Sequence, residues 1–547
     1  MSATLPLEQF LIWEQRTPHE IFLRQPVNGV WNTWSWAQAG QECRKMAQRL
    51  TDRGLGANDH IAILSKNCAH WIMADIAIMM IGAISVPIYP TLTDHAIQPI
   101  LEHSESKAIF IGKLDDFESQ RKGVPDNILQ IGFDYYGMQG SETWGQSIAT
   151  SAPLHTLHTW QPDDIITIIY TSGTTGRPKG VMHKAVTFEK VLIGVGGTLN
   201  LPKKAHLFSY LPLSHIAERL AIEMNAIYYG STISFTESLE TFSKNLADVQ
   251  PHVFFAVPRI WSKLREGILK KMPQEKLSKL LRIPLVGLIV KKSIRKKLGL
   301  SRAKNIYSAA APITVELIDW FQTLGITIYQ GYGMSEDCAY GHFCREGHNK
   351  PGSVGKPVDG LSVKLTAEGE ICVKSPGNLV GYYKEPELTA EIFDEEGYLK
   401  TGDKGEYDSD GYLWITGRVK DQFKTDKGKY ISPAPIELDL QADECIEQVC
   451  VVGNGIPQPI ALITLSLLAK KMSKEAIDAS IANTVVRVNA TLEKHEQIAK
   501  AIILQGDWSV ENGLMTPTLK VKRNEVEKIY LKMYPVWYGY DEFVIWI

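Results

Sequence analysis

Residues Ile165 to Gly180 read IITIIYTSGTTGRPKG, and the reading of the whole chain starts there. Ile165 to Ile169 are all β-branched and almost wholly apolar, which predicts a buried strand. After Tyr170 come Thr171, Ser172, Gly173, Thr174, Thr175 and Gly176, where each side chain is a hydroxyl or is absent. Glycine lets backbone N–H groups approach an oxyanion closely, and hydroxyls add donors, so such a loop can wrap phosphate oxygens. Lys179 adds a mobile point charge. The common phosphate loop ends in Gly-Lys-Ser/Thr and opens a helix; here Gly180 follows the lysine. A plain Ser/Thr/Gly surface turn is the alternative reading of this composition.

Outward from the loop the periodicity alternates. Upstream it predicts a helix over 37–53, a strand over 60–64, a helix over 69–81, a strand over 83–88, a helix from Asp94 and a strand over 107–112. Downstream it predicts helices over 184–199, 216–229 and 238–249, with strands over 206–210, 232–235, 252–256 and 305–309. Alternating β and α elements imply an α/β protein with doubly wound parallel sheet. After Pro351, short strands over 362–365, 370–374 and 412–416 are punctuated by Gly and Asp, which predicts a small antiparallel β-barrel or sandwich. Past Gly417 a mixed α+β tail follows, with a strand near 448–453 and a helix over 473–492.

A chain of 547 residues is too long for one core and implies two or more domains. With 44% hydrophobic and 22% charged residues and a net charge of −3, nothing global points to a nucleic-acid partner. The seven cysteines (43, 68, 338, 344, 372, 445 and 450) form no C-x-x-C pair, which fits reduced thiols in a cytosol. Residues 1–15 carry Glu8 and Glu14 and lack a basic start before an apolar run, so no signal peptide is expected. The most apolar stretch, Trp71 to Ile88, contains Asp75, Gly82 and Pro87; a buried helix followed by a strand accounts for it better than a membrane span.

Further words carry chemistry. In GYGMSE (331–336) an aromatic beside glycines can stack an adenine, and a carboxylate next to a hydroxyl can hold Mg²⁺ against phosphates. SAAAP (308–312) offers small side chains that suit a flat ring, or simply a tight helix-start turn. In YLKTGD (398–403) and GRVKDQFK (417–424), Asp403 is a carboxylate able to accept from two vicinal hydroxyls, as a ribose presents. LPLSHIAER (211–219) sets His215 at a strand end, where a structural histidine is the plain alternative. NGLMTPTLKVKR (512–523) closes the series.

Together with residues 165–180 these words resemble the signatures of the adenylate-forming (AMP-binding) superfamily, which holds acyl-CoA synthetases, luciferases and peptide-synthetase adenylation domains. The Ser-His-Ile-x-Glu-Arg and Thr-Pro-Thr-Leu-Lys forms resemble long-chain fatty acyl-CoA synthetases in particular, and the resemblance runs from about Trp36 to Arg523. It implies a large N-terminal domain (1–419) of two doubly wound sheets plus a small β-barrel. A smaller mobile α+β C-terminal domain (420–547) would be hinged near Lys420. It assigns catalytic roles to Lys520, Glu336, His215 and Lys424, with His215 lining the acyl carboxylate. Nucleotide contacts fall to Thr171, Ser172, Gly173, Thr174, Thr175, Gly176, Lys179, Ala310, Ala311, Pro312, Gly331, Tyr332, Gly333, Met334, Ser335, Asp403, Arg418 and Lys420. Within that set Tyr332 stacks the base, Ser335 contacts the α-phosphate, and Asp403 with Arg418 reads the ribose. Thr171 and Glu336 would hold Mg²⁺. Many members carry Ser/Thr-Gly-Lys where this chain has Thr-Leu-Lys, so Lys522 competes with Lys520 for the catalytic place.

The reaction implied is attack of a fatty carboxylate on the α-phosphorus of ATP, giving acyl-adenylate and pyrophosphate, then transfer to the thiol of coenzyme A. Lys520 serves only the first step, so rotation about Lys420 would withdraw it and bring Lys424 and Gly428 toward the thiol. A carrier-protein thiol, or an internal β-hydroxyl closing a lactone, is an alternative acceptor. A non-catalytic acyl-nucleotide binder is a third class. Between Lys263 and Lys304 lysine and arginine recur against only Glu266 and Glu275, flanking the apolar residues 283–290. That reads either as a cationic helix pair for an anionic bilayer surface or as a solvated pair packed by its apolar stripe. The aromatic tail from Tyr534 is a second candidate for membrane contact, or else packs on its own domain or on another subunit, the last compatible with a homodimer. The expected location is cytoplasmic, with or without contact to the inner face of a membrane.

Overall fold

The computed structural model describes residues 4–172, 178–510, 512–516 and 520–547. The strand Ile165–Ser172 lies inside an eight-stranded sheet. To one side follow Ile84–Ile88, His60–Leu64, Ala108–Ile111, Leu129–Gly132 and Glu142–Thr143, all parallel. To the other, Pro178–Lys184 and Gly381–Tyr382 run antiparallel. Parallel strands covered on both faces need continuous apolar sequence, which HIAIL, ISVPI and AIFI supply. The helix Ala69–Met80 is buried at all twelve positions, so its composition resembles a membrane span although it lies in a core. Among the described residues no helix is long and apolar enough to cross a membrane.

A second layer holds the strands Val30–Ser35, Ile21–Val27, Thr232–Phe235 and His206–Ser209. Next to it stand Val253–Ala256, Asn305–Ser308, Tyr329–Tyr332, His342–Phe343 and Lys356–Pro357. The His252 N–H donates to the His206 carbonyl at 2.9 Å, which joins these two sheets edge to edge. One continuous core draws on both layers and on the helices Trp36–Asp52, Ala69–Met80 and Ala185–Leu199. All seven cysteines are buried and free.

Four expectations need correction. The strands Ser362–Leu365, Glu370–Lys374, Leu399–Tyr407 and Leu413–Arg418 form an antiparallel sheet that, among the described residues, stays open rather than closing into a barrel. The helix expected from Ser238 begins at Phe242, because Ser238 and Thr241 first exchange side-chain bonds to each other's backbone N–H (3.0 and 3.3 Å). The 216–229 helix is continuous, but Arg219–Met224 is wound as a π-helix. The basic segment is three helices, Pro258–Lys271, Gln274–Leu281 and Pro284–Lys297, rather than a pair.

From Phe423 onward the chain builds its own cores. The strands Ile446–Val452, Ile460–Leu465, Lys500–Leu504 and Val544–Trp546 make a mixed sheet. The helices Pro433–Leu440 and Lys474–Asn489 pack into one core, and Tyr534 and Trp537 of the aromatic tail are buried in the other. The tail therefore packs on its own domain.

Candidate active site

The strand before the loop and the strand after it form a hairpin in which Thr171 faces Lys179 and Ser172 faces Pro178. The expected phosphate donors Gly173, Thr174, Thr175 and Gly176, and the Ser172 side chain, lie outside the described residues. Lys179 is described: its ammonium sits 5.2 Å from the centroid of the Tyr382 ring. The Tyr382 hydroxyl donates to Glu336 Oε1 at 2.9 Å. Tyr382 reaches this place because Gly381–Tyr382 pairs with Pro178–Lys184, with Tyr382 opposite Val181. Burial pushes the Glu336 carboxyl above its ordinary value, while the Tyr382 bond, Lys179 and Arg418 pull it back.

Gly331 and Tyr332 end the Tyr329–Tyr332 strand, and Gly333, Met334 and Ser335 turn away from it. A Cβ on Gly333 would stand 2.9 Å from the Ala339 Cα, so only glycine admits this fold-back. The Met334 N–H donates to Asp337 Oδ1 at 2.9 Å, and the buried Asp337 carboxyl rises to about 7. The Ser335 carbonyl accepts from His183 Nε2–H at 2.8 Å, which ties this turn to the strand after the loop. Upstream, Ala310 is half-buried at φ +70°, a conformation that costs an alanine about 1–2 kcal/mol. Ala311 and Pro312 beside it are exposed. Backbone strain of this kind gathers at functional turns.

Asp403 has both carboxylate oxygens engaged. Its Oδ2 accepts from the Tyr332 hydroxyl at 2.8 Å and its Oδ1 from Arg418 Nε–H at 2.7 Å. The hairpin of Leu399–Tyr407 with Leu413–Arg418 sets Asp403 directly opposite Arg418, so strand register alone makes the pair.

His215 is the N-cap of the one-turn helix Ile216–Glu218, its Nδ1 accepting from the Ala217 N–H at 3.1 Å. The neutral ring therefore carries its proton on Nε2. Burial, and then Lys520, push its pKa down to about 4, so the ring is neutral at physiological pH. The last two residues of the word anchor it. Glu218 Oε1 accepts from Ser209 Oγ and from the Tyr210 N–H, both at 2.9 Å. Arg219 donates to Thr167 Oγ1 at 2.7 Å and to Asp75 Oδ2 at 2.6 Å, with Glu223 at 3.2 Å, all fully buried. Thr167 belongs to the strand that leads into the loop, so Arg219 fastens the His215 turn to it.

Lys520 arrives from a distant segment. Thr516 N–H donates to the Lys520 carbonyl at 2.8 Å and Lys520 N–H to Thr516 Oγ1 at 3.0 Å, beside the Met515–Val521 bridge. Desolvation first, and Arg418 second, hold its ammonium below the ordinary lysine value, against the pull of Asp403 and Glu336. The residue as a whole is exposed, although desolvation is the largest influence on its ammonium. Lys522, its competitor, stands at the N-cap position of the helix Arg523–Tyr530, with no capping bond from its side chain. Lys420 is exposed in the turn after Arg418. Lys424 is exposed with its ammonium 5.5 Å from the Tyr430 ring centroid. Neither lysine ranks among the charges acting on Glu336, Arg418 or Lys520.

Sequence reasoning passed over Tyr382, His183, Thr167 and Asp75. For Asp75 the signal was present, as a lone carboxylate inside an otherwise apolar helix must have a partner. Tyr382 had none, since its partner Glu336 is set only by strand pairing.

A model of the AMP-binding enzyme family matches residues 10–383, and one of the AMP-binding enzyme C-terminal domain matches residues 420–538. The long-chain-fatty-acid–CoA ligase FadD15 of Mycobacterium bovis is 30% identical, over 95% of this chain and 96% of its own. The long-chain-fatty-acid–CoA ligase ACSBG2 of Xenopus laevis is 28% identical, over 91% of this chain and 79% of its own. Among solved structures, the adenylation domain of a carboxylate reductase from Mycobacterium chelonae aligns with a TM-score of 0.81 at 21% identity, covering 98% of this chain and 91% of that one. The anthranilate CoA ligase AuaEII, in complex with anthranoyl-AMP, aligns with a TM-score of 0.77 at 20% identity, covering 96% and 97%. The fold, the signature words and these matches agree: the chain belongs to the AMP-binding enzyme family.

Proposed function

We propose that this chain is a fatty acid–CoA ligase for long acyl chains, working through an acyl-adenylate. The observation that supports it best is the meeting of Lys520 with Arg418, Asp403, Glu336 and His215, four groups from separate words of the sequence. A carboxylate is a poor acyl donor because its oxygen is a poor leaving group. In the first step a fatty carboxylate oxygen attacks the α-phosphorus of ATP, the bond to the bridging oxygen breaks, and pyrophosphate leaves. Asp403 is the ribose acceptor, held in orientation by Arg418 and Tyr332, and Tyr332 is the adenine platform. Lys179 and Lys520 stabilise negative charge that grows on the phosphoryl oxygens. His215, neutral and with its proton on Nε2, donates one hydrogen bond to the acyl carboxylate without locking it into an ion pair. Glu336 and Thr171 offer hard oxygen donors of the kind Mg²⁺ takes alongside phosphate oxygens, and would hold it. When bound it would neutralise charge on the departing pyrophosphate.

In the second step the coenzyme A thiol attacks the acyl carbon, loses its proton, and AMP leaves. Residues 420–547 would turn about Lys420 between the steps, withdrawing Lys520 and presenting Lys424 and Gly428. The proposed location is cytoplasmic. A pyrophosphate-release panel over fatty acids from short to long chains, with and without coenzyme A, tests the proposal. Release should be strongest with long chains, and acyl-CoA should form only when coenzyme A is present. No release with any acid would refute it. Release with acylation of a carrier protein but not of coenzyme A would move the acceptor to that protein.

A further inference from the structure

The helix Pro284–Lys297 leaves an apolar surface open to water. Ile283 is 50% exposed, Leu285 77%, Leu288 65% and Ile289 69%. A charged helix pair packed by its own apolar stripe would hide these residues. Here Leu277 and Ile294 do the packing, and both are buried in the core beneath. At helical spacing Leu285, Leu288, Ile289, Lys292 and Lys296 share one face, aliphatic in its first turns and cationic in its last. The tip is held rigidly. A Cβ on Gly287 would meet the Leu281 carbonyl at 2.8 Å, so this helix and Gln274–Leu281 touch through backbone. Arg295 donates to the Gly325 carbonyl at 3.1 Å, fixing the other end to the body of the domain.

We infer that this helical hairpin docks on the surface of an anionic lipid bilayer. Residues 270–297 hold eight lysines, two arginines and one glutamate in a protein whose net charge is −3, so the positive charge is concentrated on this element. The same residues contain no Phe, Tyr or Trp. Protein–protein interfaces favour aromatic residues and arginine and are poor in lysine. A second copy of the chain would bring like charge against like charge. Nucleic acid would satisfy the lysines but give the bare aliphatic tip nothing to enter. An anionic bilayer answers both: lysines meet headgroup phosphates while Leu285, Leu288 and Ile289 enter the acyl boundary. The inference is independent of the substrate assigned above.

Co-sedimentation of the full chain with vesicles of phosphatidylcholine, alone or mixed with phosphatidylglycerol, tests it. The wild-type protein should bind the anionic vesicles at least about tenfold more tightly, with the preference reduced by salt. Leu285→Ser/Leu288→Ser/Ile289→Ser should lose binding to both vesicle types, and Lys292→Glu/Lys296→Glu should lose the anionic preference. Both variants change outward side chains and should keep the wild-type melting temperature. Equal binding to both vesicle types would overturn the inference. So would a wild-type dimer in sedimentation that the triple serine variant dissolves, or duplex DNA binding that the same variant leaves intact.

Discussion

Two ion pairs connect the helix Pro258–Lys271 to the C-terminal region. Arg259 meets Glu447 at 2.6 Å and Arg265 meets Glu444 at 2.8 Å. They exist in the arrangement that also brings Lys520 to Asp403 and Glu336. If residues 420–547 turn between the two half-reactions, both pairs must break, and they then act as a latch favouring adenylation. Their side chains are between 29% and 56% exposed, so solvent screens them. Each contributes about 0.2–1 kcal/mol, and the two together shift the balance of arrangements roughly two- to thirtyfold. Arg259→Ala/Arg265→Ala should slow single-turnover formation of acyl-AMP within that range. Transfer from supplied acyl-AMP to coenzyme A should be unchanged or faster. Glu444→Ala/Glu447→Ala should do the same, and combining all four changes should add little, because the same interaction is removed twice. High salt should reproduce the variants in the wild-type protein. Equal slowing of both half-reactions, or full additivity of the two double variants, would refute the latch.

Other expectations concern single residues. Lys520→Ala should reduce acyl-AMP formation by about 10²–10³-fold while leaving thioester formation from supplied acyl-AMP largely intact, since its charge serves the phosphoryl step. Because the Lys520 ammonium titrates below the ordinary lysine value, wild-type adenylation should decline as pH rises toward 10, and thioester formation from acyl-AMP should not follow that decline. Asp403→Asn keeps the shape but leaves Arg418 without its charge partner, and should raise the KM for ATP about 10- to 100-fold with a smaller effect on kcat. Burial raises Glu218 to about 8 from an ordinary 4.5, so its contribution to stability is full below 4.5 and is lost as pH rises through 8. Glu218→Gln should therefore match the wild type in thermal unfolding near pH 4, pull ahead of it as pH rises from 4.5 to 8, and be clearly the more stable of the two at pH 9.

What the sequence made legible is what local patterning controls. HIAIL, ISVPI and the wholly buried helix Ala69–Met80 are apolar without interruption and fold as expected. The hairpin of Ile21–Val27 with Val30–Ser35 carries its own signal, Asn28-Gly29 at φ +50° and +76°, the pairing a tight two-residue turn requires; it went unread because its strands lack clean alternation. Pro178–Lys184 is a strand although Pro, Lys and Gly are poor strand formers, because Ile165–Ser172 supplies a partner along its length. The strand Leu399–Tyr407 was missed for a similar reason. Gly402 sits at φ +73° and the register shifts between Lys404 and Gly405, so the period of two is broken by a bulge. Spacing could name Asp403 and Arg418, but only pairing register sets them face to face.

The site's charge balance explains why its parts come from so many elements. Lys179 and Arg418 act on Glu336, and Arg418 and Lys520 both adjoin Asp403, while burial leaves the Glu336 carboxyl prone to hold a proton. Among the described residues three cations thus stand against two carboxylates, and burial favours the protonated form of one of them, Glu336. Separate strands, each fixed by its own core, hold these like charges in place against their repulsion. Lys520 itself enters the cleft from beside the Met515–Val521 bridge, where its backbone exchanges bonds with Thr516. A polyanion entering the cleft turns that repulsion into attraction and draws Lys520 inward. Loss of the polyanion after reaction removes the reason for it to stay. The electrostatics that would build the adenylate are therefore also suited to release the lysine once pyrophosphate has gone.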